Sequence, residues 1–182
     1  MNSLLEHDHS ELGGILSGLF TALNVGDVEE SFKRLDLLWA RLGVHIRAEH
    51  LCLFPAILHE LNSGRKRRVG DAPSLDETRQ AIALLRTDHD FFMRELASAV
   101  KQMRDLRAMP GSQSVANMLQ DVQGRVTAVS HRLEAHNELE EKKVYRWADE
   151  LLNLREQKRL AAKLRREIEN LPPRFSGADA DG

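Results

Sequence analysis

The sequence predicts an all-α fold: an up-down-up-down four-helix bundle with a short additional helix towards the C-terminus. Three observations carry that expectation. Proline is scarce, 5 in 182 residues, and aromatics make up only 5%, while Leu, Ala, Glu and Arg abound, a composition that favours helices. Apolar residues recur at intervals of three and four along four long stretches, the spacing of one helix face. The chain also repeats itself: Leu4-Leu5-x-x-Asp8-His9 returns as Leu84-Leu85-x-x-Asp88-His89, and His45-x-x-x-Glu49 returns as His136-x-x-x-Glu140. Two helical hairpins related in this way close into a four-helix bundle.

The first helix is expected over residues 2–24, with Ser3 as candidate N-cap and the stripe Leu5, His9, Leu12, Leu16, Leu19 and Leu23. Asn24 and Gly26 stop it, and Asp27 can cap the next helix. The second helix, 28–62, carries Leu35, Leu38, Leu42, His45, Cys52 and Ala56 on one stripe. Pro55 removes a backbone bond there, which predicts a bend just past Glu49. Residues 63–73 read as a loop whose Arg65-Lys66-Arg67-Arg68 run is a solvated basic segment rather than a polyanion site. Ser74 and Glu77 form a capping box for the third helix, 75–107, with the stripe Ile82, Leu85, His89, Phe92, Leu96, Ala99, Met103 and Leu106.

Pro110-Gly111-Ser112 marks a turn. The fourth helix runs from near Ser114 to about 153, with Val122, Val126, Val129, Leu133, His136, Val144, Trp147 and Leu151 on its stripe. A charged helix over 155–170 has only Leu160, Ala161, Leu164 and Ile168 on its apolar side, and either continues the fourth helix or folds back. Pro172-Pro173 ends it. The expected organisation is a bundle over 1–153, a charged C-terminal helix over 154–171 and a disordered tail over 172–182.

Composition narrows the function. A net charge of −2 gives no electrostatic case for nucleic acid or an anionic membrane. The single cysteine excludes an internal disulfide and a thiolate metal cluster, and fits a reducing cytosol. The N-terminus is too polar for a signal peptide and no apolar run reaches membrane-spanning length. A cytoplasmic monomer or homodimer is the expectation.

His9, His45, Glu49, His89, His136 and Glu140 are polar residues in core-facing stripes, and burying such groups is costly unless they are paired or bind metal. Counted from the expected helix ends, the four histidines lie at similar depth, to within about one turn. Four imidazoles and two carboxylates suit two first-row ions such as iron or manganese, with the carboxylates bridging. Without cysteine, structural zinc is disfavoured. His7-x-x-x-Glu11 has the right spacing but the wrong face. His50 and Glu141 fall off the stripe as surface groups or outer partners, with Glu141 the reserve ligand. Asp8 and Asp88 either support ligand histidines or are surface acids. Cys52 reads as a small buried hydrophobe. Tyr145, nine residues after His136, is expected on the opposite side, and His59 lies on the stripe but about 21 Å along from His45.

The ordered pattern His, His-x-x-x-Glu, His, His-x-x-x-Glu resembles the hemerythrin-like (HHE cation-binding) domain, in its four-histidine, two-glutamate branch. Leu51-Cys52-Leu53-Phe54-Pro55 is similar to that family's second helix. The resemblance covers about residues 1–153. It implies a non-haem centre of two iron ions, oxygen-bridged and carboxylate-bridged, with His9, His45, Glu49, His89, His136 and Glu140 as ligands and Glu49 and Glu140 bridging. Manganese or zinc are possible substitutes. It also implies a small-molecule ligand: dioxygen, peroxide or nitric oxide.

Two features depart from the oxygen carriers. Their fifth histidine has no counterpart, since Leu85 and Met93 stand four residues either side of His89, and their last carboxylate is an aspartate at a spacing of five. The four-histidine form is similar to a branch linked to iron handling, nitric oxide or peroxide response, and repair of iron–sulfur clusters; an iron sensor or store, or an iron–sulfur-repair protein, is the alternative expectation. No cysteine-bearing domain like that of many repair proteins is expected ahead of the bundle on this reading. A ferritin-like oxidase is disfavoured, because it needs Glu-x-x-His on two helices and only Glu6-x-x-His9 occurs. Whether the chain is an enzyme stays open, and no catalytic residue is assigned.

Overall fold

Seven α-helices account for most of the described residues of the computed structural model, namely 2–63, 73–108 and 115–175, and no strand occurs among them. Helix α1 spans Asn2–Asn24. Ser3 lies inside it and is therefore not its N-cap. The end is set by Gly26, whose φ of 72° is free of the Cβ clash that disfavours it elsewhere. That turn lets Gly26 N donate to Leu23 O and Asp27 N to Ala22 O, which satisfies carbonyls of the last turn. Asp27 then caps α2 (Val28–Ala48), accepting from Glu30 N at 3.0 Å. Helix α4 (Leu75–Ala108) starts behind Ser74, whose Oγ accepts from Glu77 N. The basic run Arg65–Arg68, the Pro110-Gly111-Ser112 turn, Ser114 and residues 176–182 lie outside the described residues.

The second and fourth helical stretches are not uniformly α-helical. Five residues, Glu49–Leu53, form a π-helical turn between α2 and α3 (Phe54–Asn62), and Glu140–Val144 form another between α5 (Val115–Leu139) and α6 (Tyr145–Leu151). Phe54 N donates to Glu49 O and Tyr145 N to Glu140 O, each one residue further back than in an α-helix. In the first case Pro55 follows directly, where its missing N–H is tolerated as the next helix starts.

Each π turn inserts about one extra residue, and every downstream side chain rotates by about 100°. The expected stripe therefore fails beyond each turn. Cys52 and Ala56 are only half-buried and His59 is exposed, whereas Leu53, Phe54, Ile57 and Leu61 enter the core. In the fourth stretch Tyr145, Ala148 and Leu152 join Val144 and Trp147 inside, while Leu151 is half-buried.

Helix α1 packs on α2 and α5, and α4 packs on α2 and α5, so four long helices share one interior. Its apolar contents form two clusters. One gathers Leu12, Leu19, Leu38, Leu42, Phe92, Met103, Val126 and Leu133. The other gathers Leu5, Ala48, Phe54, Ile57, Leu85, Val144 and Leu164. In each helix a change of cluster brackets a histidine: Leu5 and Leu12 flank His9, Leu42 and Ala48 flank His45, Leu85 and Phe92 flank His89, Leu133 and Val144 flank His136.

The fourth stretch ends at Leu151, and Asn153 caps α7 (Leu154–Glu169) with a capping box to Glu156. Helix α7 folds back onto α2 and the first π turn, burying Leu160, Leu164 and Ile168, with Ala161 half-buried. Arg47 Nε donates to Glu167 Oε2 across that contact at 2.9 Å. Residues Pro173–Phe175 form a 3-10 turn in which Arg174 donates to Asp36. No described helix is long and apolar enough to cross a membrane.

Candidate metal centre

Six polar side chains fill the layer between the two apolar clusters: His9, His45, Glu49, His89, His136 and Glu140, none more than 7% exposed. Both glutamates are fully buried and each opens a π turn, so the altered backbone register begins at the residue that faces the centre.

The histidines meet in two pairs. His9 Nε2 lies 3.2 Å from His45 Nε2, and His89 Nε2 lies 3.1 Å from His136 Nε2. Each glutamate sends one oxygen to each pair. Glu49 Oε1 is 3.7 Å from His45 Nε2 while its Oε2 is 3.3 Å from His89 Nε2. Glu140 Oε2 is 3.3 Å from His9 Nε2 while its Oε1 is 3.2 Å from His136 Nε2. Glu49, His89, His136 and Glu140 offer donor atoms all within 4.8 Å of one another, as do His9, His45 and Glu140.

Glu49 Oε2 and Glu140 Oε1 are buried acceptors without a hydrogen-bond partner. An orphaned buried carboxylate oxygen costs several kcal/mol unless a cation faces it. The convergent nitrogens are also all Nε2 atoms, carried by rings whose other nitrogen is held elsewhere. The residues present fit a metal: the buried cluster can hold an ion.

Behind each ring stands a partner for Nδ1. Asp8 Oδ2 lies 2.7 Å from His45 Nδ1, and Asp88 Oδ2 lies 3.2 Å from His136 Nδ1. Arg41 and Arg132 donate to the other oxygens of these aspartates, at 2.7 Å and 2.6 Å. Glu141 Oε1 meets His9 Nδ1 at 2.8 Å, and His50 Nε2 meets His89 Nδ1 at 2.9 Å. Partners at Nδ1 fix the ring orientation and leave Nε2 free to bind inward. Asp8 and Asp88 are thus supports rather than surface acids, and Glu141 reaches the nitrogen that points away from the cluster. His7 is on the outer face, its side chain 72% exposed beside Glu11.

Charges across the layer are mutually adjusted. Burial works against a charged His9, but the carboxylates of Glu140 and Glu141 win and push its pKa up to about 9. His136 is raised against the same burial, by Glu140, Glu49 and Asp88. Burial also opposes ionisation of Glu140, yet His136 and His9 hold it well below the usual carboxylate range. Asp8 is likewise lowered despite burial, by His45 and Arg41.

Tyr145 is the residue the sequence reading missed. Its side chain is fully buried, and Oη lies 3.0 Å from Glu49 Oε1, 3.1 Å from Glu140 Oε2 and 3.1 Å from His9 Nε2. Nine α-helical steps from His136 point to the opposite face, but the π turn absorbs one of them and returns Tyr145 to the inner stripe. Burial and the two carboxylates raise its pKa well above normal. Cys52 stays outside the layer, half-buried, with burial pushing its thiol up.

Comparison with protein-family models, curated proteins and solved structures finds no match to this chain. The fold and the geometry of the centre are therefore the whole basis for a functional reading.

Proposed function

We propose that this chain is a hemerythrin-like protein: an up-down-up-down four-helix bundle over residues 1–153 that binds two iron ions and uses them to bind or react with a small oxidant. His9 and His45 hold one ion, His89 and His136 the other, and Glu49 and Glu140 bridge. One observation carries this reading. Two fully buried carboxylates each direct one oxygen to either histidine pair, the arrangement that shares two ligands between two cations. Mixed nitrogen and carboxylate donors without thiolate favour iron or manganese over structural zinc.

When bound, the iron pair supplies the electrons for chemistry with dioxygen, peroxide or nitric oxide. The protein's share is to keep the layer between two apolar clusters and to orient the rings through Asp8, Asp88, Glu141 and His50. Leu85, fully buried, and Met93, half-buried, stand where a further histidine on α4 reaches in the oxygen carriers, and neither donates to a metal of this kind. Four histidines leave more of the coordination sphere to exogenous molecules, so the reduced protein is expected to autoxidise quickly and to consume peroxide.

The test is elemental analysis and an optical spectrum of aerobically purified protein, followed by stopped-flow mixing of the reduced form with oxygenated buffer. About two iron ions per chain are expected. One zinc per chain after iron-supplemented expression would sink the proposal, and a stable oxy spectrum reversed by removing oxygen would make it a carrier.

An iron sensor is the second reading, favoured by the cost of the buried carboxylates in the metal-free chain. Folding that depends on iron would support it, and equal stability with and without iron would remove it.

A further inference from the structure

We infer that Tyr145 is a seventh protein ligand, binding through its phenolic oxygen the ion held by His9 and His45, so that the two ions are chemically unlike. The inference rests on the di-iron reading above and specifies one of its two positions.

The first argument is geometric. Ligands about 2.1 Å from a first-row ion and at right angles to each other are about 3.0 Å apart. Most of the atoms that surround this position have that spacing, with Glu49 Oε1 set wider, 3.7 Å from His45 Nε2. His9 and His45 Nε2 are 3.2 Å apart, and Glu140 Oε2 is 3.3 Å from His9 Nε2. Tyr145 Oη lies 3.0 Å and 3.1 Å from Glu49 Oε1 and Glu140 Oε2, the two carboxylate oxygens on the His9/His45 side, and 3.1 Å from His9 Nε2. It stands among these donors as one of them.

The second argument is a proton count. A phenol has one proton to give, and two carboxylate oxygens compete for it at nearly equal distance. Even with His9 Nε2 donating to the phenol oxygen, a hydrogen bond to one carboxylate leaves the other carboxylate oxygen facing the phenol oxygen with no proton between them, in a fully buried layer. A cation at the focus of the three oxygens removes that conflict. Binding exchanges the phenol O–H bond for an oxygen–metal bond and releases the proton to solvent.

The third argument is the asymmetry of the repeat. At the offset that maps His45 to His136 and Glu49 to Glu140, the counterpart of Tyr145 is Phe54. Phe54 is also fully buried after its π turn, but it offers no donor atom and packs against the rings of His50 and His89, the latter with centroids 6.2 Å apart and planes 14° apart. The same backbone device therefore delivers a hydroxyl to one ion and a hydrocarbon edge to the other. The His9/His45 position has five protein donors: two nitrogens, one oxygen from each glutamate, and the phenol. The His89/His136 position has four, and it is the one that takes the small ligand.

The chain contains a single tyrosine, so ring-deuterated tyrosine labels this position alone. Aerobically loaded ferric protein is expected to show a visible phenolate-to-iron charge-transfer band, and resonance Raman modes excited in that band should shift with the label. Tyr145→Phe should lose the visible band entirely while keeping two irons per chain and the near-ultraviolet absorption of the ferric pair. If the variant does not fold, the labelled wild-type spectrum decides by itself. A wild-type sample with two irons but no label-sensitive band overturns the inference and leaves the di-iron reading standing. A chain that takes up no iron overturns both.

Discussion

Stripping the metal should make stability depend on pH in a direction opposite to that of the loaded protein. His9 accounts for most of the effect. In the metal-free chain its pKa is raised from 6.5 to about 9 by Glu140 and Glu141 acting against burial. A raised folded-state pKa stabilises fully below 6.5, and that contribution is lost as pH climbs through 9. At 1.36 kcal/mol per pKa unit the loss is about 3 kcal/mol, a large share of the stability of a single domain. His136 shifts in the same direction and adds to it. In the loaded protein the ion replaces the proton on Nε2, so folding is weakened on the acid side instead, where the unfolded histidines gain protons. Urea unfolding of chelator-treated protein, at steps from about pH 6 to pH 10, measures the first curve. His9→Gln should flatten it. A level curve for the metal-free wild type, or the same slope in His9→Gln, would show that the His9 proton is not held as described.

Three further outcomes are expected from the same geometry. His9→Ala should lose much of the bound metal whereas His7→Ala, altering an exposed side chain, should retain it; equal losses on elemental analysis would mean that helix α1 presents a different face. Asp8→Asn and Asp88→Asn should each weaken metal binding by about 10- to 100-fold, read by competition with a chelator. Unchanged affinity in both would remove their role in orienting His45 and His136. Deleting Lys142 should take one residue out of the second π turn and rotate Tyr145 away from the layer. Retention of the tyrosine-dependent visible band in that variant would refute the register argument.

The gathering of six polar side chains into one buried layer was easier to read from the sequence than the register of the helices. His9, His45, Glu49, His89, His136 and Glu140 stood out because a polar side chain in an apolar stripe is conspicuous, and none of the six lies beyond a π turn on its own helical stretch. Beyond Glu49 and Glu140 a fixed 3.6-residue period misplaces the chain. It put Cys52, Ala56 and His59 inside and Tyr145 outside, whereas Cys52 and Ala56 are only half-buried at the edge of the core, His59 is exposed and Tyr145 is fully buried. A signal existed: Leu53-Phe54-x-x-Ile57 and Tyr145-x-x-Ala148-x-x-x-Leu152 are apolar sets one step out of register with the stripes before them. Pro55 hinted at an interruption in the first case, and nothing comparable marks the second. The partnership of Glu141 with His9 and of His50 with His89 was not legible either, because it depends on how neighbouring helices are rotated.

The placement of α7 has a kinetic meaning. All six inner side chains are sealed from solvent, so an ion can exchange only when the packing around it opens. Helix α7 lies over α2 and the first π turn, the segment that carries both His45 and Glu49, and Arg47 fastens it there through Glu167. Opening that segment requires α7 to detach first. Leu164→Ala, which removes a fully buried anchor at a cost of about 2 kcal/mol, should speed metal extraction by a chelator roughly thirtyfold. An unchanged extraction rate would place the exit elsewhere. On the proposed reading, a helix that offers no donor atom would set the residence time of a bound metal, separately from the side chains that would set its affinity.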